Sequence, residues 1–118
     1  MNAMPWGTVE EEPEVHEWLE ALNARDFGTV AFHIDRLADE GVLSDEPQSR
    51  EIDGKLRELR FFLNGEQKRI SYWIAPGRRI ILLTVFRKER RRERREVARA
   101  KRAFAECREE NHIAEEEA

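Results

Sequence analysis

The spacing of apolar residues switches between two periods along this 118-residue chain. Trp6 to Glu10 alternates large or branched residues with small or polar ones, the pattern of a short edge strand. In Pro13 to Asn23 the positions Val15, Trp18, Leu19 and Leu22 follow the i, i+3, i+4, i+7 spacing of one buried helical face. Pro13 suits the first turn, where its missing N–H removes nothing. A second helix is predicted from about Asp26 to Glu40, with Phe27, Val30, Ala31, Ile34, Leu37 and Ala38 as its stripe and Gly41 as a left-handed stop. The two helices read as a hairpin packed on a core.

Val42 to Asp53 has no period and a Ser-Asp-Glu-Pro content, which predicts a loop. The pattern then becomes that of strands over Leu56 to Leu63, Lys68 to Ile74 and Arg79 to about Arg87. Asn64-Gly65 and Pro76-Gly77 mark reversals between them, and the simplest arrangement is an antiparallel meander. Glu89 to about Glu110 is rich in helix formers, with Val97, Ala100, Phe104 and Cys107 as a thin apolar seam. The acidic end is expected to fray. The prediction is therefore one α+β domain over residues 1–110 and a disordered acidic tail over 111–118, since 118 residues hold one modest core.

Strand parity decides which side chains share a face. If Asn64 to Gln67 forms the first reversal, Leu63 lies opposite Lys68, Phe61 opposite Ile70 and Leu59 opposite Tyr72, an apolar set that covers the helices. Glu58, Arg60 and Phe62 then join Arg69, Ser71 and Trp73 on the other face, with Arg60 and Arg69 as diagonal neighbours. A two-residue turn at Pro76-Gly77 pairs Tyr72 with Ile81, Trp73 with Ile80 and Arg69 with Thr84. On that register Thr84, Phe86 and Lys88 join the arginine face, while Arg87 leans the other way. A slip of one residue would reverse every assignment.

Charge sharpens this picture. Residues 57–104 carry 16 Lys and Arg against 5 Asp and Glu, residues 1–56 carry 4 against 14, and residues 105–118 carry 1 against 6. The net charge of −4 hides this polarity, which marks a polyanion-binding face or an acidic partner. Arg60, Arg69 and Lys88 interleaved with Phe62, Trp73 and Phe86 suit RNA, because guanidinium forks bind phosphate oxygens and aromatic faces stack on unpaired bases. The competing reading pairs these arginines with Glu58 or the acidic first half and packs the aromatics beneath the last helix. The run from Arg87 to Glu96 also describes an ordinary solvated helix.

Other chemistry has little support. Cys107 stands alone, so there is no disulfide framework and no thiol cluster for a metal. His16, His33 and His112 show no ligand spacing, and His33 reads as a surface residue flanking Ile34. No stretch approaches the ~20 apolar residues of a membrane span. With no signal-like start either, the expected location is cytoplasmic.

The segments Gly54-Lys-Leu-Arg-Glu-Leu-Arg60, Lys68-Arg-Ile-Ser-Tyr72 and Gly77-Arg-Arg-Ile-Ile-Leu-Leu-Thr-Val-Phe-Arg-Lys88 closely resemble RelE/HigB toxins of bacterial type II toxin–antitoxin systems, in particular their phage-derived branch. The order of elements is also that family's. The resemblance implies a RelE-like fold and an endoribonuclease that cuts messenger RNA, usually on the ribosome, and thereby inhibits translation. It further implies a reaction without metal or other cofactor, in which the ribose 2′-oxygen attacks the adjacent phosphorus and leaves a cyclic phosphate. By the same resemblance Arg60 and Arg69 are the transition-state clamps, with Lys88 or Arg87 assisting at the leaving oxygen. Arg57, Phe62, Trp73, Phe86 and Arg91 are the further residues expected to contact RNA.

The implied partners are a cognate helix-turn-helix antitoxin, messenger RNA on the ribosome, and operator DNA only through the antitoxin, with no membrane. Two departures stand out. Arg57 and Glu58 occupy the place where some relatives carry two lysines, and Arg90 to Val97 lacks the tyrosine that several carry. They favour an alternative, a catalytically inactive RelE-fold module that binds its antitoxin or RNA. A DNA-binding protein using the arginine-rich helix is a third reading, disfavoured by the interruptions at Glu89, Glu93 and Glu96.

Overall fold

The computed structural model describes residues 5–41, 48–87 and 93–117, with the side chains of 87, 93 and 111–117 outside that description. The elements are β1 (Thr8–Glu11), α1 (Pro13–Ala21), α2 (Ala24–Glu40), β2 (Ser49–Asp53), β3 (Leu56–Leu63), β4 (Glu66–Ala75), β5 (Arg79–Arg87) and α3 (Glu93–Glu117). The five strands form one sheet in the order β1-β5-β4-β3-β2. β1 runs parallel to β5, and every other pairing is antiparallel.

The helical hairpin carries the chain from β1 at one edge of the sheet to β2 at the other. Its two helices are divided at Asn23, whose Oδ1 accepts the Asp26 backbone N–H at 2.8 Å and so starts α2 two residues before the apolar stripe suggests. The stop at Gly41 has φ 55° and ψ −124°, a backbone setting that only glycine tolerates without cost. A Cβ there would fall 2.3 Å from the Trp6 ring, so glycine also makes room for the chain before β1 to pack against the hairpin.

Each face of the sheet carries its own core. Val15, Leu19, Val30, Ile34 and Leu37 pack against Leu59, Phe61, Leu63, Ile70, Tyr72, Ile80 and Leu82 on the hairpin side. On the other side Leu56, Trp73, Ala75, Ile81 and Leu83 meet Ala100 and Cys107 of α3, the seam predicted from spacing. Each fully buried Leu or Ile contributes about 1.5–3 kcal/mol relative to exposure, so the hairpin side holds the larger share of the stability.

Several expectations need correction. The predicted loop over Val42–Asp53 ends in a strand, β2, which pairs with β3 through Ser49↔Leu59, Arg50↔Glu58 and Glu51↔Arg57, while residues 42–47 lie outside the described residues. Its Ser-Arg-Glu-Ile-Asp sequence buries only Ser49, because an edge strand has few core positions and carries charges that discourage further pairing.

The first reversal is a two-residue turn, with Asn64 at φ 52° and Gly65 at φ 79°, whose twist matches that of the flanking strands. It pairs Leu63 with Glu66, Phe61 with Lys68 and Leu59 with Ile70. The shift from the expected register totals two residues, so every side chain keeps its face, and Arg60 becomes the direct partner of Arg69.

The second reversal holds three residues, ending in Arg78 at φ 57°. It pairs Trp73 with Ile81 rather than Ile80, and Tyr72 with Leu82. A bulge between Ser71 and Tyr72 then restores parity and sets Ser71 opposite Thr84 and Arg69 opposite Phe86. Helix α3 continues to Glu117, beyond the end near Glu110 that the seam implied.

Candidate functional site

The alternation of β3 and β4 places Glu58, Arg60, Arg69 and Ser71 on the sheet face that α3 only partly covers. Arg60 and Arg69 are direct cross-strand partners, a juxtaposition of like charges that is unfavourable without a counter-charge. Glu58 supplies one. Its Oε1 lies 3.4 Å from Arg69 Nη1 and 3.9 Å from Arg60 Nε. Glu58 and Arg69 are 2% and 3% exposed, so their charges interact where water screens poorly. Beside them the Ser71 and Thr84 hydroxyls lie 2.5 Å apart, and the Thr84 backbone N–H donates to Ser71 Oγ at 3.0 Å. A recess of about 140 Å³ opens onto this cluster between Arg50, Glu51, Ile52 and Val97, which sets Arg69 at the junction of β2 and α3.

A second opening, of about 350 Å³, is walled by His33 and Arg36 of α2, Gln48, Arg60, Phe61, Phe62 and Gln67. His33 is therefore no mere flanking surface residue: its ring stacks on Phe61 with centroids 5.2 Å apart. Burial, with the Arg36 charge second, lowers its pKa below the ordinary histidine value. Nothing in the helical period marks His33 and Gln67 as neighbours of Arg60. Gln67 pairs with Phe62 only because the first turn has two residues rather than four.

A third opening, of about 280 Å³ between α1, β5 and α3, has mixed charge and holds none of the predicted residues. There Arg99 bonds Glu14, donates to the Val85 carbonyl at 3.1 Å and contacts Glu96 at 2.6 Å. Burial disfavours its charge, but the hydrogen bonds to Glu96 and Glu14 outweigh this and raise its pKa.

The predicted site residues separate into three groups. Arg60, Arg69 and Phe62 lie together, with the Phe62 ring 66% exposed beside Arg60. Trp73, Phe86 and Arg57 require correction. Trp73 is 5% exposed, packs on Phe104 at 5.3 Å and donates its indole N–H to Cys107 Sγ at 3.3 Å, so no ring face is open to a base. Phe86 is buried opposite Arg69. Arg57 points to the opposite side of β3, where its Nε donates to Ser49 Oγ at 3.3 Å and the Tyr72 hydroxyl at 3.4 Å. Lys88 and Arg91 lie outside the described residues, as does the side chain of Arg87, whose backbone pairs with Lys68.

Among the described residues no three His, Cys, Asp or Glu side chains are grouped as metal ligands, and no helix is long and apolar enough to cross a membrane.

A small mixed sheet with a helical hairpin on one face and a single helix on the other, with Arg60 and Arg69 paired across its central strands, makes this an α+β fold. Residues 17–105 match the model of the phage-derived Gp49-like protein family, and the chain belongs to that family. Its fold is that of RelE toxins. It resembles a chain of the RelBE2 toxin–antitoxin complex from Mycobacterium tuberculosis, with 22% identity and a TM-score of 0.51 over 72% of this chain and 100% of that one. It also resembles a free arginine-to-alanine mutant of the Escherichia coli toxin RelE, with 11% identity and a TM-score of 0.55 over 80% of this chain and 92% of that one. No curated protein matches by sequence. Family and fold thus agree with the resemblance read from the strand segments.

Proposed function

We propose that this chain is the toxin of a type II toxin–antitoxin pair, an endoribonuclease that cuts messenger RNA on the ribosome and inhibits translation. The observation that carries the reading is the direct pairing of Arg60 with Arg69 around Glu58 on the partly open sheet face. Attack of a ribose 2′-oxygen on the adjacent phosphorus builds charge on the phosphoryl oxygens. Two guanidinium forks set side by side around one carboxylate meet that charge. Glu58 offsets the repulsion between the two guanidinium groups and lies within 3.4 Å of Arg69. The leaving 5′-oxygen is assigned to Lys88 or Arg87. The expected partner is a helix-turn-helix antitoxin that shields this face and carries the pair to operator DNA.

Expression of the chain arrests growth on this reading, and primer extension on translating ribosomes maps new messenger ends. Arg60→Ala should lower cleavage by about 10²–10³-fold, the usual loss for one charge-stabilising donor, while the circular dichroism spectrum is unchanged. Undiminished cleavage in that variant would sink the assignment. One observation favours the alternative of an inactive module that binds antitoxin or RNA: Arg69 is almost wholly buried, so a phosphate reaches it only through the recess beside Arg50 and Val97. Absence of new messenger ends from the unaltered protein, with RNA binding retained, selects that alternative.

A further inference from the structure

Three of the residues lining the 350 Å³ cavity each bury a side-chain polar atom that finds no hydrogen-bond partner among the described residues: His33 Nδ1, Arg60 Nε and Gln67 Oε1. Arg60 Nε is 3.9 Å from Glu58 Oε1, too far for a hydrogen bond. A buried polar group left unsatisfied costs free energy, and native proteins rarely tolerate it without a reason such as a ligand. Three such atoms around one opening mark a place where something with both donors and acceptors belongs. Gln67 brings an amide with both kinds of atom, and a neutral imidazole likewise has one donor and one acceptor.

The rest of the lining is two aromatic rings, Phe61 and Phe62, with Arg36 and Gln48. Phe61 forms a floor on which the His33 ring already stacks, and the Phe62 ring stands largely exposed at the rim. The volume falls at the small end of the ~300–1,000 Å³ range of small-molecule sites. A flat heteroaromatic ring with hydrogen-bonding edges fits this combination of amide, imidazole and open aromatic face. Arg60 borders both this cavity and the Glu58 cluster, so a phosphate on its fork places the attached nucleoside at the mouth of the cavity. Arg36, whose Nε contacts Glu40 Oε1 at 3.0 Å, adds positive charge to the same wall.

The geometry points to a nucleobase subsite: the cavity takes the base adjoining the phosphate held by Arg60, stacks it on Phe62 and reads its edge with Gln67 and His33. This deepens the proposed nuclease reading and rests on it for the identity of the ligand as RNA. The site has a consequence for specificity, since the base it admits sets where the messenger is cut.

The test is an NMR titration of the full chain with each of the four nucleoside 3′-monophosphates and, separately, with ribose 5-phosphate. The expected result is saturable movement of the Gln67 side-chain amide and His33 ring signals, with unequal affinities for the four bases and weaker binding of ribose 5-phosphate. Phe62→Ala, at an exposed position that the fold does not need, should weaken nucleotide binding by about tenfold, as loss of a stacking partner does. Equal binding of ribose 5-phosphate and all four nucleotides overturns the subsite and leaves only an anion site on the arginines. So does absence of movement at Gln67 and His33.

The titration needs no cleavage, which separates the two ideas. A chain that binds bases here but cuts no messenger keeps the cavity and loses the nuclease. One that still cuts, with its base preference at the cut unchanged by Gln67→Ala combined with Phe62→Ala, keeps the nuclease and loses the cavity.

Discussion

Beneath α1 and α2 the buried core positions of β3, β4 and β5 are Leu59, Phe61, Leu63, Ile70, Tyr72, Ile80 and Leu82, each an aliphatic or aromatic side chain. On the opposite face the apolar floor of Trp73, Ile81 and Leu83 gives way within a few residues to Glu58, Arg69, Ser71 and Thr84, which are buried almost as deeply. The difference is not one of exposure. A buried ion pair seldom stabilises more than hydrocarbon of the same volume, so the polar half of this face needs an explanation other than stability. The Arg60–Arg69 juxtaposition, which raises the cost further, points to anion chemistry as that explanation.

The sharpest way to break this comparison is to turn the polar half into a copy of the other face. Arg69→Met alone leaves Glu58 buried without its nearest guanidinium and should destabilise the protein by about 3–5 kcal/mol. Glu58→Leu combined with Arg69→Met should recover most of that loss in urea denaturation, yet leave no measurable cleavage in primer extension. If the double variant is as unstable as the single one, the polar cluster holds the fold together and the functional explanation of its burial is wrong.

How far the sequence discloses these two faces depends on the strength of the signal in each element. The helical hairpin and central strands are long and periodic, and a register error totalling two residues left every β3 and β4 side chain on its expected face. The bulge at Ser71/Tyr72 did the same for Thr84 and Phe86, although Ile80 and Ile81 exchanged faces before it. β2 was illegible because Ser49 is its one buried residue and its charges resemble those of a loop. Parity put Trp73 and Phe86 on the arginine face but says nothing of depth, and α3 buries Trp73. The second cavity was invisible because His33, Arg60 and Gln67 come from separate elements, brought together by the length of a single turn.

The covers of the two faces also differ, and the next prediction sharpens that contrast. The hairpin is held by a continuous apolar interface, whereas α3 rests on Ala100, Cys107 and their few neighbours and is fastened to α1 and β5 through Arg99. Since the Arg99 side chain is about a third exposed, solvent screening limits the effect, and Arg99→Met should cost no more than about 1 kcal/mol. Amide hydrogen exchange should accelerate in α3 and not in α2, and raising the salt concentration of the unaltered protein should reproduce part of that pattern. Equal acceleration in both helices would remove the distinction between an apolar cover and an ionic one.

The smallest effect concerns two histidines that titrate in opposite senses. Burial and, second, the positive charge of Arg36 depress the pKa of His33 in the folded state. The unfolded chain therefore takes up the proton first as pH falls below about 6.5, and stability declines between that value and the depressed one. His16, exposed at the start of α1, is raised by its hydrogen bond to Glu11 and by the Glu20 charge. Its contribution is fully present below about pH 6.5 and is lost as pH rises through the folded value. Urea midpoints measured between pH 5.5 and 7.5 should accordingly depend less on pH at the acid end in His33→Gln. In His16→Gln they should fall less at the alkaline end. Identical pH profiles for His33→Gln and the unaltered protein would mean that the cavity wall is as well solvated as the outer surface of the hairpin, and the contrast between open and enclosed sides of α2 would fail with it.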